Sequence, residues 1–169
     1  MRYLLDAHAI LWYVDAADEL PIKLRDMIDA SECLYSVASL WEIAIKQSLG
    51  RLNRDITIGE YAELCRKSGF QRLSIIPAHL DRIKELPAIH RDPFDRLLVA
   101  QAIDEELTIV TCDRMIPQYP STDNLVVRIR PPEWHSPQPR EAPSFWARCV
   151  WSERALRRRA KGVDESCGN

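Results

Sequence analysis

Among the acids of this 169-residue chain, Asp6, Glu42, Asp95 and Asp113 each sit where a predicted strand ends or a predicted helix begins. Carboxylates brought together repel one another, and without a counter-charge some must take up protons. A divalent cation resolves that repulsion, and an all-oxygen ligand set suits a hard ion such as Mg²⁺ or Mn²⁺. Such an ion lowers the pKa of bound water and stabilises charge on a phosphate. The implied chemistry is hydrolysis of a phosphodiester by metal-activated water. Each acid also has a plainer reading. Ser39-Leu40-Trp41-Glu42 fits a capping box, Asp92-Pro93-Phe94-Asp95 a capped helix start, and Asp6 and Asp113 could simply make turns.

The positioning elements follow from periodicity and punctuation. Strands are predicted at Tyr3 to Leu5, Cys33 to Tyr35, Leu73 to Ile76, Thr108 to Thr111 and Leu125 to Val127. Helices are predicted over 9–14, 23–30, 40–49, 58–67, 78–86 and 93–105. Alternating strands and helices predict an α/β fold with a central parallel sheet and helices on both faces. The apolar runs at 73–76 and 108–111 are read as strands buried on both sides. In such a sheet functional groups gather at the carboxyl edge. Asp6 and Asp113 lie there as strand ends. Glu42 and Asp95 reach it in the first turns of helices that start at that edge. Convergence, rather than any single acid, carries the reading.

Neighbouring residues supply supporting candidates. Ser39 and Thr111 are candidates to hydrogen-bond ligand carboxylates, and Asp92 to support the same edge as a helix cap. Arg96 is a candidate phosphate contact or an (i, i+4) partner of Asp92, and Arg114 a candidate phosphate contact. Trp12, Tyr13 and Trp41 are read as core rather than as base-stacking platforms.

The segments LLDAHAILW (4–12), SVASLWEIAIKQSLGRL (36–52), HRDPFDRLLVAQA (90–102) and IVTCDRMIPQY (109–119) resemble the PIN-domain family, specifically the VapC-like toxins of toxin–antitoxin pairs. The likeness covers about residues 2–127. It implies a three-layer α/β/α fold and a Mg²⁺- or Mn²⁺-dependent endoribonuclease whose acids fall on Asp6, Glu42, Asp95 and Asp113. It also implies an RNA substrate, a cognate antitoxin and a homodimer. Where many relatives carry Asp-Thr-His, this chain has Asp6-Ala7-His8. Two alternatives are a PIN-like protein that only binds a partner and a phospho-accepting receiver domain. The latter lacks an acceptor Asp after the third predicted strand, which ends Ile76-Pro77.

Charge and composition bound these readings. Residues 1–127 hold 14 Lys/Arg against 20 Asp/Glu, and residues 128–169 hold 9 against 5, so −6 and +4 give the net −2. An acidic body argues against a broad basic groove for duplex DNA. Five cysteines without close pairs suit neither a disulfide framework nor a zinc site. No secretion signal or apolar run long enough for a membrane helix is visible, so a cytoplasmic location is expected. Five of the eleven prolines fall between Pro131 and Pro143. They predict a boundary between a domain at 1–127 and a linker and basic tail at 128–169, with a possible helix from Phe145 towards Arg159.

Overall fold

Tyr3, Leu4 and Leu5 are buried and end strand β1 (Arg2–Leu5). In the computed structural model β1 lies at the centre of a five-stranded sheet of order β3-β2-β1-β4-β5. Its partners are β2 (Glu32–Ser36), β3 (Gln71–Leu73), β4 (Thr108–Thr111) and β5 (Val126–Arg128), and every pairing is parallel. The structure describes residues 1–15, 20–52, 55–120 and 126–129. The predicted linker and tail helix therefore lie outside the described residues.

Helices α1 (Ala7–Val14), α2 (Ile22–Asp29), α3 (Val37–Ser48), α4 (Ile58–Lys67), α5 (Pro77–Glu85) and α6 (Pro93–Asp104) complete the three-layer α/β/α arrangement. Helix α1 packs on β1, β4 and α4, and α6 packs on β4 and α5. Leu98, Val99, Ala100 and Ala102 of α6 join Leu4, Leu34 and Ile109 of the sheet in one apolar cluster. Burial of this kind stabilises by roughly 25 cal/mol per Å² of apolar surface removed from water.

Local chemistry explains where the elements begin. The Thr57 hydroxyl accepts the Glu60 amide at 3.2 Å while Glu60 accepts the Thr57 amide at 2.7 Å, so α4 opens with a reciprocal cap. Asp92 caps α6 by accepting the Phe94 amide at 2.8 Å, with Pro93 in the first turn.

Three expectations are corrected. Helix α3 begins at Val37, not Leu40, because the Ser36 hydroxyl accepts the Ala38 amide at 3.0 Å. Ser39 is therefore inside the helix and Glu42 lies in its second turn, so the S-x-x-E pattern is not a capping box. Strand β3 spans Gln71–Leu73 rather than 73–76 and is an exposed edge strand, not one buried on both sides. A short 3-10 helix at Ile116–Gln118 follows β4 where only loop is predicted.

The chain divides into two units, and the elements above fall in the first except for the end of α3; residues Ile43–Asp55 belong to the second. Within that segment α3 stops at Ser48, and Gly50 turns the chain at φ +64°. The Arg51 and Leu52 amides then return to the Lys46 carbonyl at 2.8 and 3.1 Å.

Candidate metal centre

The parallel order puts the carboxyl ends of β1, β2 and β4 on one edge, and the four acids arrive there by different routes. Asp6 directly follows β1 and is the N-cap of α1, its Oδ1 accepting the Ala9 amide at 2.7 Å. Its Oδ2 accepts a short hydrogen bond from the Thr111 hydroxyl at the end of β4. The same hydroxyl oxygen accepts the Asp113 amide at 3.0 Å. Thr111, which is fully buried, thus ties the loop after β1 to the loop after β4. Asp113 is fixed in turn, its Oδ1 accepting the Met115 and Ile116 amides at 2.5 and 3.1 Å.

Asp95 is in the first turn of α6 and is 7% exposed, and Glu42 of α3 is 6% exposed. Burial pushes the Asp95 carboxyl up to about 9, and the negative charges of Asp92, Glu42, Asp113 and Asp6 push in the same direction. All three other acids, with Asp92, therefore lie within electrostatic reach of Asp95. Its Oδ2 is buried and accepts no hydrogen bond from the described residues.

His90 enters this cluster from the loop before α6. Its Nδ1 accepts the Asp92 amide at 3.0 Å. An amide only donates, so the proton of the neutral ring sits on Nε2. That nitrogen is 3.2 Å from Asp95 Oδ2 and 3.6 Å from Asp113 Oδ1. The approach to Asp95 is close but is not aligned as a hydrogen bond. Ligand atoms of His90, Asp95 and Asp113 all lie within 4.8 Å of one another, as do those of Asp6, His8 and Cys112.

The donor set fits a hard divalent ion. The unsatisfied Asp95 oxygen and the mutual repulsion of the acids are what such an ion would relieve. His90 fits the role of N–H donor better than that of ligand. Ligation through Nε2 would move the ring proton to Nδ1 and break the bond from the Asp92 amide.

The remaining candidates separate cleanly. Ser39 is buried in the first turn of α3, on the site's side of the chain division. Asp92 spends its Oδ1 on the cap of α6. Arg96 turns away from the acids. Its guanidinium donates to the Pro87, Ile83 and Leu86 carbonyls at 2.8, 2.9 and 3.1 Å, closing the C-terminal end of α5, and makes no pair with Asp92. Arg114 is exposed beside Asp113. Trp41 corrects the expectation that it is core: it is 55% exposed, and its ring meets Phe94 at 4.9 Å and 82°. His90 is a participant that residue type and spacing alone do not single out. A histidine two residues before the capped helix start Asp92-Pro93 was its one local signal.

The family model described as the PIN domain matches residues 3–121. The chain belongs to the PIN domain family. PIN domains are in general nucleases, and the receiver-domain alternative is thereby set aside. Among solved structures, a chain in the crystal structure of VapBC2 from Rickettsia felis bound to a DNA fragment from their promoter is similar to this PIN domain. The match has a TM-score of 0.56 at 14% identity, covering 76% of this chain and 98% of that one. It shows a shared fold. PAE2754 from Pyrobaculum aerophilum is similar at TM-score 0.46 and 21% identity, covering 75% of this chain and 83% of that one. No curated protein matches. Among the described residues, no helix is long and apolar enough to cross a membrane.

Proposed function

We propose that this PIN domain is a Mg²⁺- or Mn²⁺-dependent endoribonuclease, the toxin of a toxin–antitoxin pair acting in the cytoplasm. The observation that carries the reading is Asp95 Oδ2, a buried carboxylate oxygen without a hydrogen bond from the described residues, amid the charges of Asp6, Glu42, Asp92 and Asp113. Asp6, Glu42, Asp95 and Asp113 would hold the ion. When bound, a divalent ion supplies Lewis-acid stabilisation of phosphate charge and activation of water.

The chain's own residues position and tune that group of acids. Thr111 orients Asp6 through its hydroxyl. The Met115 and Ile116 amides hold Asp113. His90 directs a neutral Nε2–H between Asp95 and Asp113, easing their repulsion without adding a full charge. Burial of Asp95 and Glu42 limits competition from bulk water.

The toxin role rests on the motif resemblance and on the shared fold with the VapBC2 chain. A cognate antitoxin would cover the acidic edge, and a homodimer is the proposed assembly. Ser39 and Arg114 stay as candidate supporting and phosphate-contacting residues.

The reading is tested by incubating the full chain with total tRNA and ribosomal RNA in Mn²⁺ or Mg²⁺, with and without EDTA. Metal-dependent fragments with internal cleavage sites are expected, and their absence with both ions would defeat the enzyme reading. A second reading, a PIN-like protein that only binds a partner, draws on Ala7, which leaves Asp6 without the neighbouring hydroxyl that many relatives carry. Failure to bind Mn²⁺ would favour it.

A further inference from the structure

Asp6 belongs to a second group of metal-ligating side chains, whose chemistry differs from that of the four acids. Ligand atoms of Asp6, His8 and Cys112 all lie within 4.8 Å of one another. Two neighbouring strand ends bring them together. Asp6 follows β1 and caps α1, His8 is in the first turn of that helix, and Cys112 follows β4, which pairs with β1 in parallel. Asp6 is buried, whereas His8 and Cys112 are half-buried. The thiol and the imidazole are thus neither sealed in the core nor fully solvated.

One thiolate, one imidazole and one carboxylate suit Zn²⁺ rather than Mg²⁺, which prefers oxygen throughout. Zinc bonds of about 2.0–2.3 Å set tetrahedral ligand atoms roughly 3.3–3.6 Å apart. From separations of at most 4.8 Å, the three groups need to close by no more than about 1.5 Å, which side-chain rotation supplies. The oxygens of Asp6 accept the Ala9 amide and the Thr111 hydroxyl, but a carboxylate offers about four lone-pair sites, so these bonds do not preclude ligation. The lack of close cysteine pairs argues against a cysteine-rich zinc finger. It does not bear on a mixed site that the sheet assembles around one cysteine.

We propose that Asp6, His8 and Cys112 form a Zn²⁺ site that shuts off the nuclease by sequestering Asp6 from the catalytic ion. This rests on the ribonuclease reading above, since Asp6 is the ligand common to both sites. Three protein ligands leave the fourth tetrahedral position to water. The Cys112 thiol releases its proton to the buffer as the zinc–sulfur bond forms. Zn²⁺ binds a given set of ligands more tightly than Mn²⁺ does, and a thiolate widens the gap. A low concentration of Zn²⁺ therefore competes against a large excess of Mn²⁺.

One readout needs no RNA. Co²⁺ stands in for Zn²⁺, because a cobalt–thiolate bond gives a near-ultraviolet charge-transfer band. Titrating the full chain with Co²⁺ should produce that band, added Zn²⁺ should abolish it, and Cys112→Ser should lack it. By calorimetry, Cys112→Ser and His8→Gln should each bind Zn²⁺ about 100-fold more weakly. Mn²⁺ affinity and the circular dichroism spectrum should be unchanged in both variants. In RNA cleavage with excess Mn²⁺, Zn²⁺ should inhibit wild type, and both variants should need about 100-fold more Zn²⁺ for the same inhibition. A cobalt band that persists in Cys112→Ser, or equal inhibition of wild type and both variants, would overturn the site. Zn²⁺ that supports cleavage instead of stopping it would overturn the inhibitory role. If the Cys112-dependent band appears but no RNA is cleaved, the ribonuclease reading fails and takes the inhibitory role with it, while the Zn²⁺ site stands.

Discussion

The Thr111 hydroxyl donates to Asp6 Oδ2 while accepting the amide of Asp113, so one buried oxygen couples two acids 107 positions apart in the chain. The coupling joins the ends of neighbouring parallel strands β1 and β4. It makes the placement of Asp6 relative to Asp113 a property of the sheet rather than of flexible loops.

Thr111→Val keeps the shape of the side chain and removes both hydrogen bonds. The expected outcome is a loss of about 1–3 kcal/mol in stability by urea denaturation, since a half-buried amide and a buried carboxylate each lose a partner. Mn²⁺ affinity should fall about 10- to 100-fold by calorimetry, and Thr111→Ser should restore most of it. Equal Mn²⁺ affinity in Thr111→Val and wild type would mean that Asp6 needs no such orientation.

The raised pKa of Asp95 gives a pH dependence with a definite sign. Below its ordinary value of 3.8 both folded and unfolded chains are protonated there; between that value and about 9 only the folded chain keeps the proton. Asp95 therefore helps stability fully at low pH and less as pH rises towards 9, by at most about 1.4 kcal/mol per pH unit. Without metal, the stability of wild type relative to Asp95→Asn should decline from pH 5 to pH 8. Mn²⁺ should reverse the trend and release a proton on binding, read as a buffer-dependent heat. A pH-independent difference between the two proteins would show that Asp95 is ionised in the metal-free state.

His90 is expected to keep its ring proton on Nε2 when the ion is bound. Nitrogen-15 shifts of the imidazole, recorded without metal and with diamagnetic Mg²⁺, should report a protonated Nε2 in both states. A switch to Nδ1–H in Mg²⁺ would make His90 a ligand and break its bond from the Asp92 amide.

Arg96 is expected to act on stability rather than on substrate. Arg96→Ala removes donors from three carbonyls around the end of α5 and should cost about 1–3 kcal/mol in urea denaturation. KM for RNA should stay within about twofold of wild type. A rise of tenfold or more in KM with unchanged stability would return Arg96 to the substrate.

Sequence patterns exposed some of this arrangement and hid the rest for identifiable reasons. Strand β4 was legible because Thr108 to Thr111 is a short β-branched run, and it is buried at all four positions. Helix α6 was legible because Asp92-Pro93 caps and opens it. The start of α3 was obscured by two serines three residues apart, Ser36 and Ser39, either of which can cap a helix; only the bond from the Ala38 amide to Ser36 distinguishes them. The third strand was legible but its bounds were not, because an edge strand needs no apolar run: Gln71 and Arg72 are exposed, and the apolar residues that follow lead into α5. The route by which His90 reaches Asp95 and Asp113 depends on a loop conformation and on contacts between distant segments, which periodicity does not encode. The exposure of Trp41 likewise contradicts its residue type, and a helical pattern that buries Leu40 and Ile43 does not reveal it.

The central claim is that Asp6, Glu42, Asp95 and Asp113 form one divalent-ion site that cleaves RNA. The most direct measurement is a Mn²⁺ titration of wild type and Asp95→Asn at pH 7.5, followed by binding calorimetry and RNA cleavage on the same samples. The account predicts that cleavage by wild type saturates as the site fills and stops with EDTA. It predicts that Asp95→Asn, still folded by circular dichroism, binds Mn²⁺ at least about 100-fold more weakly and loses cleavage in proportion. Wild-type levels of Mn²⁺ binding and cleavage in Asp95→Asn, or cleavage that persists in EDTA, would contradict it.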